Sequence, residues 1–374
     1  MSAPSAEKRV RRWNIHLRLW KLHRWLALGF GAVLVVVSVS GGLLVMHPEI
    51  ERVLERDRQV IIPPPEPAAR APIGNIVRHA ATLAPAGFRP LRVEPGKAVD
   101  RTDKYVFISD DGANRRWSAY ANPYTGNLVW HGPDQSLFRP WLLHLHEYLH
   151  IGKVGNVIVG LASVALTLLG ITGIWITRDR VRALLRHPFR LHLGRRVAFA
   201  DIHKSIGLCS LYFTFVLGAT GIWFSWHTVP NVFTAKPLKP LAPAFDPATL
   251  TPIEPALAIV RSTFPDAELA RIIFPWDTGI GLQIRVLHRS APPWRKMSRI
   301  DFDPVSGDVR RIRDAAQAPA AAQFESILSP LHFGYQGSPI VKWLYVAGGF
   351  SPALLAITGT AVWLFRRRSR KSPA

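Results

Sequence analysis

Four stretches of this chain are too long and too apolar to rest in water. Leu26 to Met46, Val154 to Thr177, Ser205 to Val229 and Trp343 to Phe365 contain no Asp, Glu, Lys or Arg. About 20 helical residues, at about 1.5 Å each, cross the hydrocarbon core of a bilayer. The sequence therefore predicts four membrane helices, at 26–47, 139–177, 205–228 and 329–365, the second and fourth each with a lead-in before its apolar run. Two long segments, 48–138 and 229–328, join them on one side.

Charge orients the spans. The chain carries a net +22, a value that on a soluble face would suggest nucleic acid. Here the basic residues concentrate in the tail 1–25, the loop 178–204 and the tail 366–374, which together hold twenty Lys/Arg and three acids. The positive-inside rule puts these three segments in the cytoplasm and the two long segments in the periplasm. Nucleic acid is not an expected partner; membrane lipid is. The first run reads as a retained helix, because Val45-Met46-His47-Pro48 lacks the small-residue pattern of a leader cleavage site. Cys209 is the single cysteine, which excludes a disulfide within one chain and a Cys-x-x-Cys-His haem attachment; it is expected to serve as packing.

The chain then repeats itself. His23 and His47 are 24 residues apart, and so are His203 and His227, both shifted by 180. Ser40-Gly41 maps to Thr220-Gly221 and Pro72-Ile73 to Pro252-Ile253 by the same shift. With a shift of 186, Ile171-Thr172-Gly173 maps to Ile357-Thr358-Gly359 and His146 to His332. The pattern indicates a tandem duplication. Each outer segment reads as proline linker, helix (about 72–83 and 252–263) and four strands. Asn122-Pro123-Tyr124-Thr125-Gly126 and Asp303-Pro304-Val305-Ser306-Gly307 are hairpin turns, with Pro setting φ at one corner and Gly a left-handed one. The expected fold is an α+β membrane protein: four transmembrane helices from a duplication, each half with a helix on a small antiparallel sheet outside.

The ordered set of a His-led helix, the αβ unit with its Asp/Asn-Pro-x-Ser/Thr-Gly turn, a His before the second span and Ile-Thr-Gly late in it resembles the PepSY-associated transmembrane family. The four-span duplicated form is similar to the inner-membrane ferric-siderophore reductases of the FoxB type. That resemblance implies a reductase with b-type haem in its membrane helices, two haems per chain, acting on a periplasmic ferric siderophore of the hydroxamate type. No Gly-x-Gly-x-x-Gly follows a strand, so electrons are expected from a quinol or a separate cytoplasmic reductase.

Under this resemblance duplicated helices would present equivalent imidazoles to one iron, and bis-His ligation suits electron transfer. His23 with His203 is the expected cytoplasmic-side pair and His146 with His332 the outer one. His47 with His227 is a rival outer pair, and His144 and His150 lie close enough in sequence to ligate, relay protons or meet substrate. His187 and His192 belong to the solvated basic loop. Trp25 and Trp141 are candidates to pack on a porphyrin. Arg115, Arg116, Tyr120, Tyr124, Trp276 and Trp294 are candidates for substrate contact between the two outer domains.

Other chemistries compete. His146-Glu147-Tyr148-Leu149-His150 is a His-Glu-x-x-His string, which on a helix places two zinc ligands on one face with Glu as base. No third ligand follows and the repeat keeps only His332. PepSY-type domains also resemble propeptide inhibitors of metalloproteases, so a non-catalytic regulator or assembly factor of periplasmic proteins is the alternative function.

Overall fold

The computed structural model of the chain describes residues 6–369, apart from 67, 112, 114, 187–189, 191–192, 229–252, 276–280, 293–296, 305 and 335–337. The expected linker 237–252 and His187, His192, Trp276 and Trp294 lie outside the described residues. The chain divides into two compact units, one helical (Met1–Met46, Leu142–Thr234, Leu331–Ala374) and one containing a sheet (His47–Trp141, Ala235–Pro330).

In the helical unit, α1 (Ala6–Val45) is a single 40-residue helix, far longer than its apolar run. Its basic first half is made of good helix formers whose long side chains can reach a polar boundary. The helix stops at Val45, and Met46 turns the chain with its amide donating to the carbonyl of Leu43 at 3.0 Å, so that Pro48 falls in the first turn of the next helix, where its missing amide hydrogen costs nothing. His47, expected at the end of this helix, instead opens α2 (His47–Leu54) in the sheet unit. After α3 (Arg56–Gln59) and α4 (Ile73–Leu83), the helical unit resumes within α5 (Phe138–Tyr148) and continues with α6 (Gly152–Thr177) and the short α7 (Val181–Arg186).

The third expected span is not a straight helix. It breaks at Ser210 into α8 (Arg195–Cys209) and α9 (Leu211–Thr228), bent by 64°. Ser210 sits at φ −91, ψ 5, and the continuous apolar run gave no signal of this break. Cys209, expected to be packed, is exposed beside it. The remaining helices are α10 (Ile253–Thr263), α11 (Ala320–Phe333) and α12 (Pro339–Ser369). Among the described residues three helices are long and apolar enough to cross a membrane, Trp13–Val45, Gly152–Thr177 and Pro339–Arg367, and the bent pair meets the same criterion when taken together. α1 packs on α6 and α12, α6 on α9, and α8 on α12. α1 and α12 approach closely through glycine: a Cβ at Gly349 would lie 3.2 Å from Gly42 Cα.

The sheet unit departs further from expectation. Instead of two small sheets there is one of eight strands, ordered β4-β3-β2-β1-β5-β6-β7-β8 and antiparallel throughout. The strands are β1 (Phe88–Glu94), β2 (Asp103–Ser109), β3 (Arg116–Ala121), β4 (Leu128–Pro133), β5 (Ala267–Ile273), β6 (Leu282–His288), β7 (Met297–Phe302) and β8 (Val309–Arg313). The halves join through β1 and β5, where Arg92 stands opposite Ile273 and Val93 opposite Ile272. Val93 and Ile272, the core-facing residues at matching places after the bulge of each strand, thus face each other, which is how a twofold axis pairs a strand with its own copy. Pairing satisfies two strand edges that would otherwise be open.

One sheet face carries the core. Val93, Tyr105, Phe107, Ile272, Ile284 and Ile300 are buried with Ile73, Ile76, Val77 and Ala80 of α4 and Ile253, Ala256, Leu257 and Val260 of α10. Both helices show the i, i+3, i+4, i+7 stripe of an amphipathic helix laid on a sheet. Both predicted turns form: Asn122 Oδ1 accepts from the amide of Tyr124 at 2.9 Å and Asp303 Oδ1 from that of Ser306 at 2.9 Å. Gly126 and Gly307 supply the left-handed corners at φ 77 and 78.

Candidate functional site

The helical unit brings four histidines together as two pairs. His23 on α1 and His203 on α8 have ring centres 6.4 Å apart with planes at 90°. His146 on α5 and His332 on α11 have ring centres 6.2 Å apart at 57°. Along α1, His23 precedes Ser40, a contact of His146, by 17 residues, so the two pairs are served by positions about 25 Å apart on that helix. That separation approaches the apolar thickness of a bilayer.

Each imidazole is held in the same way. His23 Nδ1 lies 2.8 Å from Thr172 Oγ1 and His203 Nδ1 3.0 Å from Thr358 Oγ1. His332 Nδ1 lies 2.8 Å from Thr220 Oγ1, and His146 Nδ1 is 3.2 Å from Ser40 Oγ and 2.9 Å from the carbonyl of Val37. In every case the hydroxyl donates its own hydrogen back along its helix, to the carbonyl of Leu168, Leu354, Val216 or Val36 at 2.5 to 2.7 Å. The hydroxyl oxygen is therefore an acceptor, and Nδ1 is the nitrogen that carries the proton. Nε2 keeps its lone pair, the state a metal-ligating imidazole requires, with the other nitrogen anchored outside the first coordination sphere.

The four hydroxyls are buried, and each is followed by glycine: Ser40-Gly41, Thr172-Gly173, Thr220-Gly221 and Thr358-Gly359. Two of these glycines leave the ring its space. A Cβ at Gly41 would come within 2.9 Å of His146 Cε1, and one at Gly359 within 3.1 Å of His203 Cε1.

A simple distance tests whether these pairs fit a shared metal. A metal–imidazole bond is about 2.0 Å and the ring centre lies about 1.1 Å beyond the nitrogen, so two trans imidazoles on one ion have centres about 6.2 Å apart. Both pairs match that spacing. Among the described residues no group of three or more His, Cys, Asp or Glu that could hold a metal ion gathers. Beside His23, Arg24 lies 4.8 Å from the Trp20 ring centre and 5.0 Å from that of Trp25, and its buried Nε has no hydrogen-bond partner among the described residues.

The other sequence candidates sit elsewhere. His47 Nδ1 is 3.2 Å from Glu51 Oε2 in α2, and the side chain of His227 lies outside the described residues. His144 and His150 meet each other, Nδ1 to Nδ1 at 2.9 Å, with His144 stacked on Tyr148. The helix carrying His146 ends at Tyr148, and Leu149 and His150 take φ values of 50 and 57. His146 and His150 therefore do not share a helical face, which overturns that sequence expectation and removes the geometry the His-Glu-x-x-His reading needs. Trp25 is 63% and Trp141 49% exposed. Tyr120 is buried in the sheet, where Gln59 donates to its hydroxyl at 3.3 Å, and Tyr124 donates to the carbonyl of Val99. Arg115 is paired with Asp111 at 2.5 Å, and Arg116, exposed, opens β3. The expected substrate cleft between two outer domains has no counterpart at β1 and β5, where the halves share strand hydrogen bonds.

In the sequence the hydroxyl–glycine dipeptides stand out only as marks of the repeat. Their signal was available: a hydroxyl residue before glycine recurs in all four apolar runs.

A helical unit with apolar spans and paired histidines, with a sheet unit in the same chain, defines a class of membrane protein. Residues 20–366 match the family described as the PepSY-associated TM region, and the chain belongs to that family. It is also 27% identical over 252 residues to an uncharacterized protein of Pseudomonas aeruginosa, an alignment covering 61% of this chain and 64% of the relative.

Proposed function

We propose that this chain is a membrane oxidoreductase that holds two b-type haems, one between His23 and His203 and one between His146 and His332, and delivers electrons to a ferric siderophore. The observation that carries the reading is the doubled pair: ring centres 6.4 and 6.2 Å apart, with every Nδ1 occupied by a buried hydroxyl. Haem iron, when bound, supplies a one-electron couple.

The chain's own residues do the rest. Thr172, Thr358, Ser40 and Thr220 fix the tautomer and the ring orientation, which keeps the ligand set unchanged between redox states. Gly41 and Gly359 leave room for the rings. Arg24 is placed to pair a propionate. Apolar helix packing, including Phe224 and Phe333 around His332, excludes water and so tunes the potential. In this reading the bent pair α8–α9 is the third of four spans, both termini are cytoplasmic and the sheet unit is periplasmic in an inner membrane. The donor is a quinol or a cytoplasmic reductase. One electron converts the chelated Fe(III) to Fe(II), whose lower charge weakens its bonds to hard oxygen donors and frees it from an intact hydroxamate carrier.

The test is anaerobic. The detergent-purified, haem-loaded chain is reduced with dithionite, freed of excess reductant and mixed with ferrioxamine and a chromogenic Fe(II) chelator. Reoxidation of the haem with matching Fe(II) capture is expected. Haem that stays reduced would contradict the reductase assignment.

A further inference from the structure

The second half of the sheet carries a row of arginines that the paired histidines do not involve. Arg271 on β5 stands opposite Arg285 on β6, Arg285 opposite Arg299 on β7, and Arg299 opposite Arg313 on β8. Strand alternation puts this row on the face away from the buried Ile272, Ile284 and Ile300. The adjoining row on the same face is Gln283, Asp301 and Arg311. Gln283, Arg299, Asp301, Arg311 and Arg313 line a cleft of about 330 Å³.

Like charges directly opposite on neighbouring strands repel. Arg271, Arg285, Arg299, Arg311 and Arg313 share this face with the carboxylates of Asp301 and Glu94, and Arg92 on the same face competes for Glu94. Asp301 lies 3.3 Å from Arg299, and Glu94 lies 3.0 Å from Arg271 but is shared with Arg92 at 2.8 Å. It is the Nε of Arg299 that faces Asp301 Oδ1, and an Nη of Arg285 donates to Gln283 Oε1 at 3.3 Å, while the buried Nε of Arg285 has no hydrogen-bond acceptor among the described residues. Burial first, then the charges of Arg271 and Arg299, holds the Arg285 guanidinium below its ordinary value.

The fold does not require such a row. Its equivalent in the first half runs Arg92, Val106, Ser118, Gly132 across β1 to β4, with the same pairing and a single arginine. Three arginines therefore occupy positions where the same sheet is built elsewhere with neutral residues.

We propose that the cleft end of this row, Arg299 and Arg313 with the adjoining Arg311, binds a small molecule bearing several oxyanion groups, carboxylate or phosphate. Guanidinium forks pair such groups two bonds at a time, and the cleft is the size of a small-ligand site. The site stands on the sheet's own geometry and needs neither haem nor a redox partner, so its test and that of the proposed function fail separately.

The full detergent-purified chain is titrated calorimetrically with citrate and with pyrophosphate. Saturable binding that weakens at least tenfold in Arg299→Gln and in Arg313→Gln, and not in the exposed Arg78→Gln on α4, is expected. Citrate binding the tighter assigns carboxylates; pyrophosphate binding the tighter assigns phosphates. Without ligand, Arg313→Gln should melt close to the native chain, because β8 is exposed along its length. No saturable binding of either anion, undiminished binding in both variants, or binding only to vesicles containing anionic lipid would overturn the proposal.

Discussion

At the four histidines the decisive atom is Nδ1. Its hydroxyl partner is itself committed to a backbone carbonyl, so the proton's position is set by the helix and not by solvent. Replacing the hydroxyl while keeping its shape isolates that effect. Thr172→Val and Thr358→Val are expected to weaken haem retention by about 10- to 100-fold and shift the midpoint potential of one haem, with Thr→Ser variants near native; unchanged potentials in redox titration would contradict the role of the hydroxyl. Gly41→Ala acts on space alone: its Cβ would press on His146 Cε1 at 2.9 Å. The visible spectrum should lose one haem while that of the His23 pair stays. The histidines were legible because they recur at a constant offset. Their partners were harder to see, since a hydroxyl beside glycine in an apolar run also reads as ordinary helix packing.

Among the elements, the junction of β1 and β5 has its own charge lock. Burial alone would raise the carboxyl of Glu94, but Arg92, Arg271, Lys104 and Arg139 bring it down to about 2 from 4.5. A depressed carboxylate contributes stability above its unfolded value and loses it as pH falls through the folded one, here between about 4.5 and about 2. The shift corresponds to on the order of 3 kcal/mol. The sheet is expected to melt at lower temperature at pH 3 than at pH 6, and Glu94→Gln to remove part of that difference, Asp134 and Asp111 being held low as well; equal pH sensitivity in the variant would contradict the lock. In the helical unit, a Cβ at Gly42 would come 2.7 Å from Phe350 Cε2. Gly42→Ala should therefore destabilise the α1–α12 crossing by about 1–3 kcal/mol, measured by thermal unfolding. The strands and outer helices were readable from period-2 and period-3.6 patterns and from the two Pro-x-x-Gly turns. Edge pairing leaves no such mark: Phe88–Glu94 and Ala267–Ile273 look locally like any outer strands, so the single eight-stranded sheet was not foreseen. The break at Ser210 was hidden for a similar reason, because apolarity alone does not record helix direction.

Across the whole molecule, sequence repetition at offsets of 180 and 186 appears twice in three dimensions, as a sheet with reciprocal strand pairing and as two histidine pairs with matching supports. Under the proposed function each histidine pair holds one haem. Haem quantified per chain, with a reduced-minus-oxidised spectrum, tests this in the native protein and in His203→Ala, His332→Ala and their combination. Two haems are expected, then one, one and none, with the sheet unit still folded. A native chain that takes up no haem under haem-supplied expression, or unchanged haem in both single variants, would contradict it.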